Sequence, residues 1–500
     1  MVQPLFHKIE KSKKKIVLAI AFLFWCAKIQ VEKRVEVRKM ASKHSMDLTK
    51  GSVLKKLVIF AIPIVLSNIL QQLYHAADVI VVGNFATDSR TALAAVGSTG
   101  SVTTLILNLF LGLAVGANVV CANLYGERRW DSLRRAMHSC IVFSLICGIA
   151  VSVMGFLLSE KILVLMGSPD GVREQATKYM QIIFLGQPAN LMFNFGSGIL
   201  RAYGDTKRPL YILSAAGMIN VILNVILVML SPDNAASCVA IATIVSWYVS
   251  AGIVLRILFH PGGDQHLSVS EMKIHREEFL NIVKVGIPCG LNSILFNITN
   301  VIITVALNIL GPVALAANSA ACNIDGIPFQ ILAGVTAACV SFAGQNYGAK
   351  KLDRIDKLLS RSILVTLGIL SVMAALIFSF SDFFMGLFAN GDLEVIAMGG
   401  VRLKIMSLGY MIYAVSEMAV GCLRGMGKTM LPMVLNISAI CITRTLWILL
   451  LFPRFETLAF LLYSYPVSWI LSATAQLICY FVCRKKEGEK LLLEQSSDPA

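Results

Sequence analysis

Charge is scarce in this chain. Only 15% of its 500 residues are Asp, Glu, Lys or Arg, and 56% are hydrophobic, where a water-soluble domain carries about 25% charge. The charges are gathered between long apolar runs, most of which can cross about 30 Å of hydrocarbon. That excludes a soluble globular domain and points to a polytopic helical membrane protein. Signatures of covalent chemistry are missing as well. The sequence holds no G-x-S-x-G, no H-E-x-x-H and no dinucleotide fingerprint. Its 12 cysteines stand singly in apolar segments, without C-x-x-C or a Cys/His cluster, as small buried hydrophobes rather than metal ligands or disulfide partners. Gly427-Lys428-Thr429 imitates the end of a phosphate-binding loop. That loop needs a glycine where Cys422 stands, and a strand where an apolar helical run leads in. No enzyme activity, cofactor or bound metal is expected.

What the chain has in abundance is itself, twice. Residues 198–209 read GILRAYGDTKRP and residues 421–432 read GCLRGMGKTMLP, an offset of 223. Ile62-Pro63 returns as Ile287-Pro288 after 225 residues, and Tyr125-Gly126 as Tyr347-Gly348 after 222. Three anchors in the same order at nearly one spacing make a duplicated chain.

The apolar pattern predicts twelve spans, roughly 55–84, 94–124, 136–158, 174–199, 209–231, 236–259, 280–309, 313–345, 360–381, 394–423, 432–452 and 457–483. Six spans per half is an even number, so both halves enter the membrane in one orientation. The predicted fold is all-α, two six-helix lobes related by a pseudo-two-fold along the membrane normal. The expected organisation is an N-lobe over 46–265, a linker over 266–279, a C-lobe over 280–485 and a tail over 486–500. Residues 1–45 have no counterpart in the repeat and are expected to be an extension without a transport role. Lys and Arg crowd alternate connections, such as Arg128, Arg129, Arg134 and Arg135 after span 2 and Lys350, Lys351, Arg354 and Lys357 after span 8. The opposite connections are nearly bare. The net charge of +15 is thus a topology signal, not a nucleic-acid footprint, and it puts both termini in the cytoplasm.

Polar residues within the spans are the candidate functional groups. Asn68, Gln72, His75 and Asp78 fall within about one third of the circumference of span 1. Ser293, Asn297 and Asn300 occupy the positions of the first three in span 7. Such stripes can line a cavity or bond helices together; their duplication favours a cavity shared by the two halves. The acids are not duplicated. Asp78 corresponds to Ile303, Glu417 to Asn194 and Asp325 to Thr103. A carboxylate at membrane depth is costly and marks an ion path or a buried partner. For Asp325, beside Gly326 and Pro328, the alternative is a local bond at a helix break. For Glu417 it is pairing with Arg444. Asn190 with Asn194, and Tyr413 with Glu417, stand four residues apart and so share helix faces.

Together these residues resemble the multidrug and toxic compound extrusion (MATE) family of secondary antiporters. The likeness rests on Pro63 with Asp78, on Leu93-Ala94-Ala95-Val96-Gly97, on Gly344-Gln345-Asn346-Tyr347-Gly348, on Glu417-Met418 and on both G-x-L-R-x-x-G copies. It implies a bacterial inner-membrane exporter of small organic cations, acting by alternating access in exchange for H⁺ or Na⁺. Asp78 falls on the family's N-lobe cation-site aspartate, and Glu417 is the second candidate. Span 7 lacks the acid of sodium-coupled members, which favours protons. Membrane lipid is the only other expected partner, nucleic acid is not one, and a monomer is expected. The alternative is a lipid-linked saccharide flippase of the same superfamily.

Overall fold

The computed structural model describes residues 46–260, 266–389 and 391–497; the expected role of residues 1–45 falls outside them. Every long element among the described residues is a helix. In order they are α1 (Val53–Phe85), α2 (Ser89–Glu127), α3 (Trp130–Leu165), the two-piece α4 (Asp170–Leu185 and Gln187–Ala202), α5 (Lys207–Leu230) and α6 (Ala235–Leu258). The second half gives α7 (Arg276–Ile309), α8 (Pro312–Gly348), α9 (Leu352–Gly386), α10 (Leu393–Gly425), α11 (from Met430 through Leu451) and α12 (Leu458–Ser497). Eleven candidate spans are continuous, and α4 makes the twelfth. It breaks at Gly186 because Pro188, in the first turn of its second piece, has no N–H to continue the ladder. Several helices outrun the apolar stretches that predict them. α9 begins at Leu352 rather than 360 and α12 continues to Ser497 rather than 483, since charged turns leave the membrane while the helix persists.

Starts and stops follow local chemistry. Asp88 accepts the Thr91 N–H at 3.2 Å to open α2, and Asp392 accepts those of Glu394 and Val395 at 3.0 and 3.2 Å to open α10. Arg128 and Lys350, equivalent in the repeat, both take the left-handed conformation just past α2 and α8, with φ of 59° and 56°. α11 alternates between α and π winding, with π segments at Ile437–Ile442 and Trp447–Leu451 around Thr443–Leu446.

The cores show how the lobes meet. One apolar cluster joins Leu48, Val53, Leu57, Phe60, Ala61 and Ile64, at the start of α1, to the C-lobe interior. A second joins the ends of α2 and α4 to Ile282, Val285 and Val340 of the C-lobe. In both, the N-lobe residues that make the junction lie toward the face where the basic connections run. Toward the opposite, bare face the clusters separate: Val81, Val82, Ala92 and their neighbours belong wholly to the N-lobe, and Ala317, Ile324, Met385 and theirs wholly to the C-lobe. The described residues therefore form a V, fused at the basic face and parted toward the bare one.

Three devices close the fused end. Gly112 and Gly116 of α2 face Gly286 and Gly290 of α7, each pair spaced G-x-x-x-G. A Cβ at Gly112 would fall 2.1 Å from the Gly290 nitrogen, and one at Gly290 would fall 2.6 Å from the Leu109 carbonyl oxygen. Only glycine permits so close a crossing. Beyond it, the ends of α2 and α8 pack reciprocally. A Cβ at Gly126 would meet the Gln345 carbonyl at 2.1 Å, and one at Gly348 the Asn123 carbonyl at 2.0 Å. Gln345 donates to the Ala202 carbonyl at the end of α4, at 2.7 Å. Its counterpart Asn123, with its amide turned to satisfy both neighbours, donates to the Gly425 carbonyl at the end of α10, at 3.0 Å. Finally, the segment before α1 straps the lobes. Met46 N–H donates to Gly204 of the N-lobe at 3.3 Å, while Leu48 N–H donates to Gln345 at 2.9 Å and Arg354 donates to the Leu48 carbonyl at 3.0 Å. Gly204, at φ 85°, lets that strand pass, since a Cβ there would sit 2.1 Å from the Met46 oxygen.

Candidate functional site

The polar stripe of α1 divides at the level where the lobes part. Asn68 donates to the Gln330 carbonyl of α8 at 3.3 Å, and Gln72 accepts from the Gln330 side chain at 3.5 Å. These are cross-lobe contacts at the floor of the V. His75, one turn further, is exposed. Asp78 lies at the edge of the arc and turns into the N-lobe, where it is buried. It accepts a hydrogen bond from Asn224 of α5 at 2.5 Å. Asn224 also donates to Asn220 at 3.2 Å, and Asn220 to Thr243 of α6 at 3.2 Å. Tyr179 of α4 is within electrostatic reach of the carboxylate. Among the described residues no Lys or Arg bridges to Asp78, although a buried carboxylate that stays ionised usually needs such a partner. The Asn224 Oδ1 atom is buried and without a hydrogen-bond partner. The chain thus gathers a carboxylate, two amides and a hydroxyl at membrane depth, a set that can take up a proton or coordinate a small hard cation.

Span-based reasoning missed Asn220, Asn224 and Thr243. The signal was available, since Asn220 and Asn224 stand four apart in an otherwise apolar run.

The remaining candidates are arranged differently. Ser293 donates to the Cys289 carbonyl at 3.2 Å and Asn297 to the Ser293 carbonyl at 2.8 Å, both within α7. The Asn300 carbonyl accepts from Thr304 at 3.0 Å. This stripe begins one turn above Gly290, where α7 leaves α2. Asn194 donates to the Asn190 amide oxygen at 2.9 Å, and Asn190 to Gln187 at 3.1 Å, so the pair closes on its own helix.

The expected helix break is absent, since α8 runs unbroken through Asp325, Gly326 and Pro328, and Asp325 makes no local side-chain bond there. It forms a buried ion pair with Arg402 of α10 at 2.9 Å, both side chains being less than a tenth exposed. Arg402 lies 77 residues away in sequence, on the helix packed against α8. Glu417 is half-buried. It stands one turn from the buried Tyr413 on the same helix and within electrostatic reach of it and of Arg424. It does not bridge to Arg444, whose Nε donates to Ser468 of α12 at 2.9 Å. Asp78 and Glu417 therefore occupy separate lobes.

Relatives share this architecture. The sequence is 25% identical over 399 residues to the probable multidrug resistance protein YoeA of Bacillus subtilis, covering 78% of this chain and 85% of that protein. It is 23% identical over 393 residues to the probable multidrug resistance protein NorM of Thermotoga maritima, covering 78% and 84%. Among solved structures, a MATE in the bent conformation superposes with a TM-score of 0.81 at 21% identity, covering 89% of this chain and 98% of that one. A MOP superfamily transporter from Pyrococcus furiosus, described as having a binding pocket of reverse polarity, gives 0.82 at 21%, covering 88% and 98%. At such identities the structures establish the fold: two lobes of transmembrane helices. The MatE family model matches residues 63–226 and again 288–450, once in each lobe. With well over half its length matched, this multi-pass membrane transporter belongs to the MatE family of multidrug efflux proteins.

Proposed function

We propose that the chain exports amphipathic organic cations from a bacterial cytoplasm, in exchange for H⁺ or Na⁺ entering through the N-lobe. The observation that carries this reading is Asp78, a buried carboxylate with amide and hydroxyl neighbours and no bridging cation. On this reading the basic face is cytoplasmic, and the V is the state open to the outside. Ion uptake at Asp78 neutralises a charge that is costly in hydrocarbon. It also alters the Asn224 contact that ties α1 to α5. Rocking the lobes would then break the glycine crossing and the amide caps and open the cytoplasmic side, where substrate enters. Glu417 supplies the negative charge facing an organic cation. Protons are the favoured ion because α7 carries no acid beyond its first turn.

A lipid-linked saccharide flippase would need several cations facing a diphosphate. Arg402 is neutralised by Asp325, which leaves this part of the C-lobe, among the described residues, one arginine without a carboxylate partner, Arg444, rather than several, so efflux of cations is the better reading. Everted vesicles, given a cationic dye from outside so that export appears as accumulation in the lumen, test it. Export driven by an imposed pH gradient but not by a Na⁺ gradient gives proton coupling, and the reverse gives sodium. Transport indifferent to both gradients would refute antiport.

A further inference from the structure

Where α7, α10, α11 and α12 meet, the C-lobe holds a charge that the transport reading does not use. Arg444 is fully buried, yet among the described residues no carboxylate bridges to it. Its Nε is satisfied by Ser468, but Nη1 and Nη2 meet no acceptor. The indole N–H of Trp469, 2% exposed, is likewise unpartnered. The two groups are neighbours, with the guanidinium carbon 5.4 Å from the Trp469 ring, 4.0 Å from that of Tyr465 and 5.7 Å from that of Phe296. Tyr410 and Tyr413 also pack against Trp469, at 5.4 and 5.1 Å between ring centroids.

The rings offset part of the cost of burying the cation. They offer nothing to the N–H groups, each of which is expensive to leave unmade. Of the nearby carboxylates, Asp325 is paired with Arg402, and Glu417 does not bridge to Arg444. Three unpartnered donors therefore lie on two neighbouring buried groups that together carry positive charge, and among the described residues no carboxylate bridges to them. Arg444 also sits between two π-helical segments, a rare winding that is frequent at functional sites.

We propose that this cluster is a monoanion site of the C-lobe, in which Arg444 Nη1 and Nη2 and Trp469 Nε1 hold a halide or a carboxylate group. The site stands apart from Asp78 and does not depend on which ion drives transport.

The test uses the purified full chain in halide-free sulfate buffer, titrated separately with chloride, bromide and acetate. Melting temperature and tryptophan emission are the readouts. Saturable binding should raise the melting temperature by roughly 2 °C or more. A response to chloride and bromide alone assigns a halide, and one to acetate alone assigns a carboxylate. Arg444→Gln should weaken the response at least tenfold. Trp469→Phe, which keeps the ring and loses the N–H, should weaken it several-fold, and it serves as the test if Arg444→Gln does not fold. Absence of a saturable response to every anion in the wild-type protein overturns the site. So does an undiminished response in both folded variants, which would mark a general salt effect or an adventitious ion only.

Discussion

Asp78 and Asn224 are linked by a short contact across two helices, and the chemistry proposed for the N-lobe depends on that carboxyl group being able to change charge. Asp78→Asn preserves size and can still bond Asn224, so the protein should fold and melt as before. It should lose gradient-driven efflux altogether; full export under the same gradient would remove Asp78 from the coupling role. Glu417→Gln should weaken cationic substrates by about 1–3 kcal/mol, the cost of losing a charged partner, and spare neutral ones. Comparing efflux of one cationic and one neutral dye checks this, and uniform loss with a lower melting temperature would reject it. The Asp325–Arg402 pair should behave as structure. Arg402→Gln leaves a buried carboxylate uncompensated and should cost about 3–5 kcal/mol, while Asp325→Asn in the same chain should recover much of that loss, as thermal melting would show. The sequence made each acid visible, because a carboxylate in an apolar run stands out. It hid their partners. Asn220, Asn224, Thr243 and Arg402 come from other helices, and one-dimensional spacing says nothing about which faces will meet.

At the scale of elements, hydropathy fixed the number and order of the spans, since crossing hydrocarbon demands length and apolarity together. It could not show the break in α4 or the π winding of α11, which depend on a single proline and on local packing. The paired G-x-x-x-G segments of α2 and α7 also passed unread, because a glycine's role appears only when another backbone arrives beside it. That crossing yields a further prediction. Gly290→Val places side-chain atoms into the Leu109 backbone and should prevent the basic face from closing. Spin labels at Leu230 and Ile309, both exposed at the bare ends of α5 and α7, should then report a shorter separation than in the parent protein. Efflux should fall with it. An unchanged distance distribution would show that the crossing tolerates bulk and is no closure point.

For the whole molecule, the duplication was legible from three anchors, but which face was closed was not. Closure is a property of contacts between lobes, and neither half of the sequence records its relation to the other. The strap before α1 was equally invisible as a strap, although Met46-Asp47-Leu48 was in view. Its bonds to Gly204, Gln345 and Arg354 separate two truncations. A chain starting at Met46 should transport as the full chain does. One starting at Ser52 should lose the cross-lobe bonds and show reduced efflux with a lower melting temperature. Equal behaviour of the two in efflux and melting assays would show that the strap carries no function.

The fused end also bears on ancestry. Gly126 lies against Gln345 while Gly348 lies against Asn123, and Gln345 caps one lobe's helix while Asn123 caps the other's. Contacts of the form i to j and j to i are what a self-complementary surface makes when it meets an identical copy. The seam thus keeps the pattern of a homodimer of six-helix units, one whose subunits became joined end to end. The joined copies were then free to diverge, which a symmetric pair encoded by one gene cannot do. Asp78 against Ile303 and Glu417 against Asn194 show the result: each lobe could specialise its own polar group without imposing it on the other.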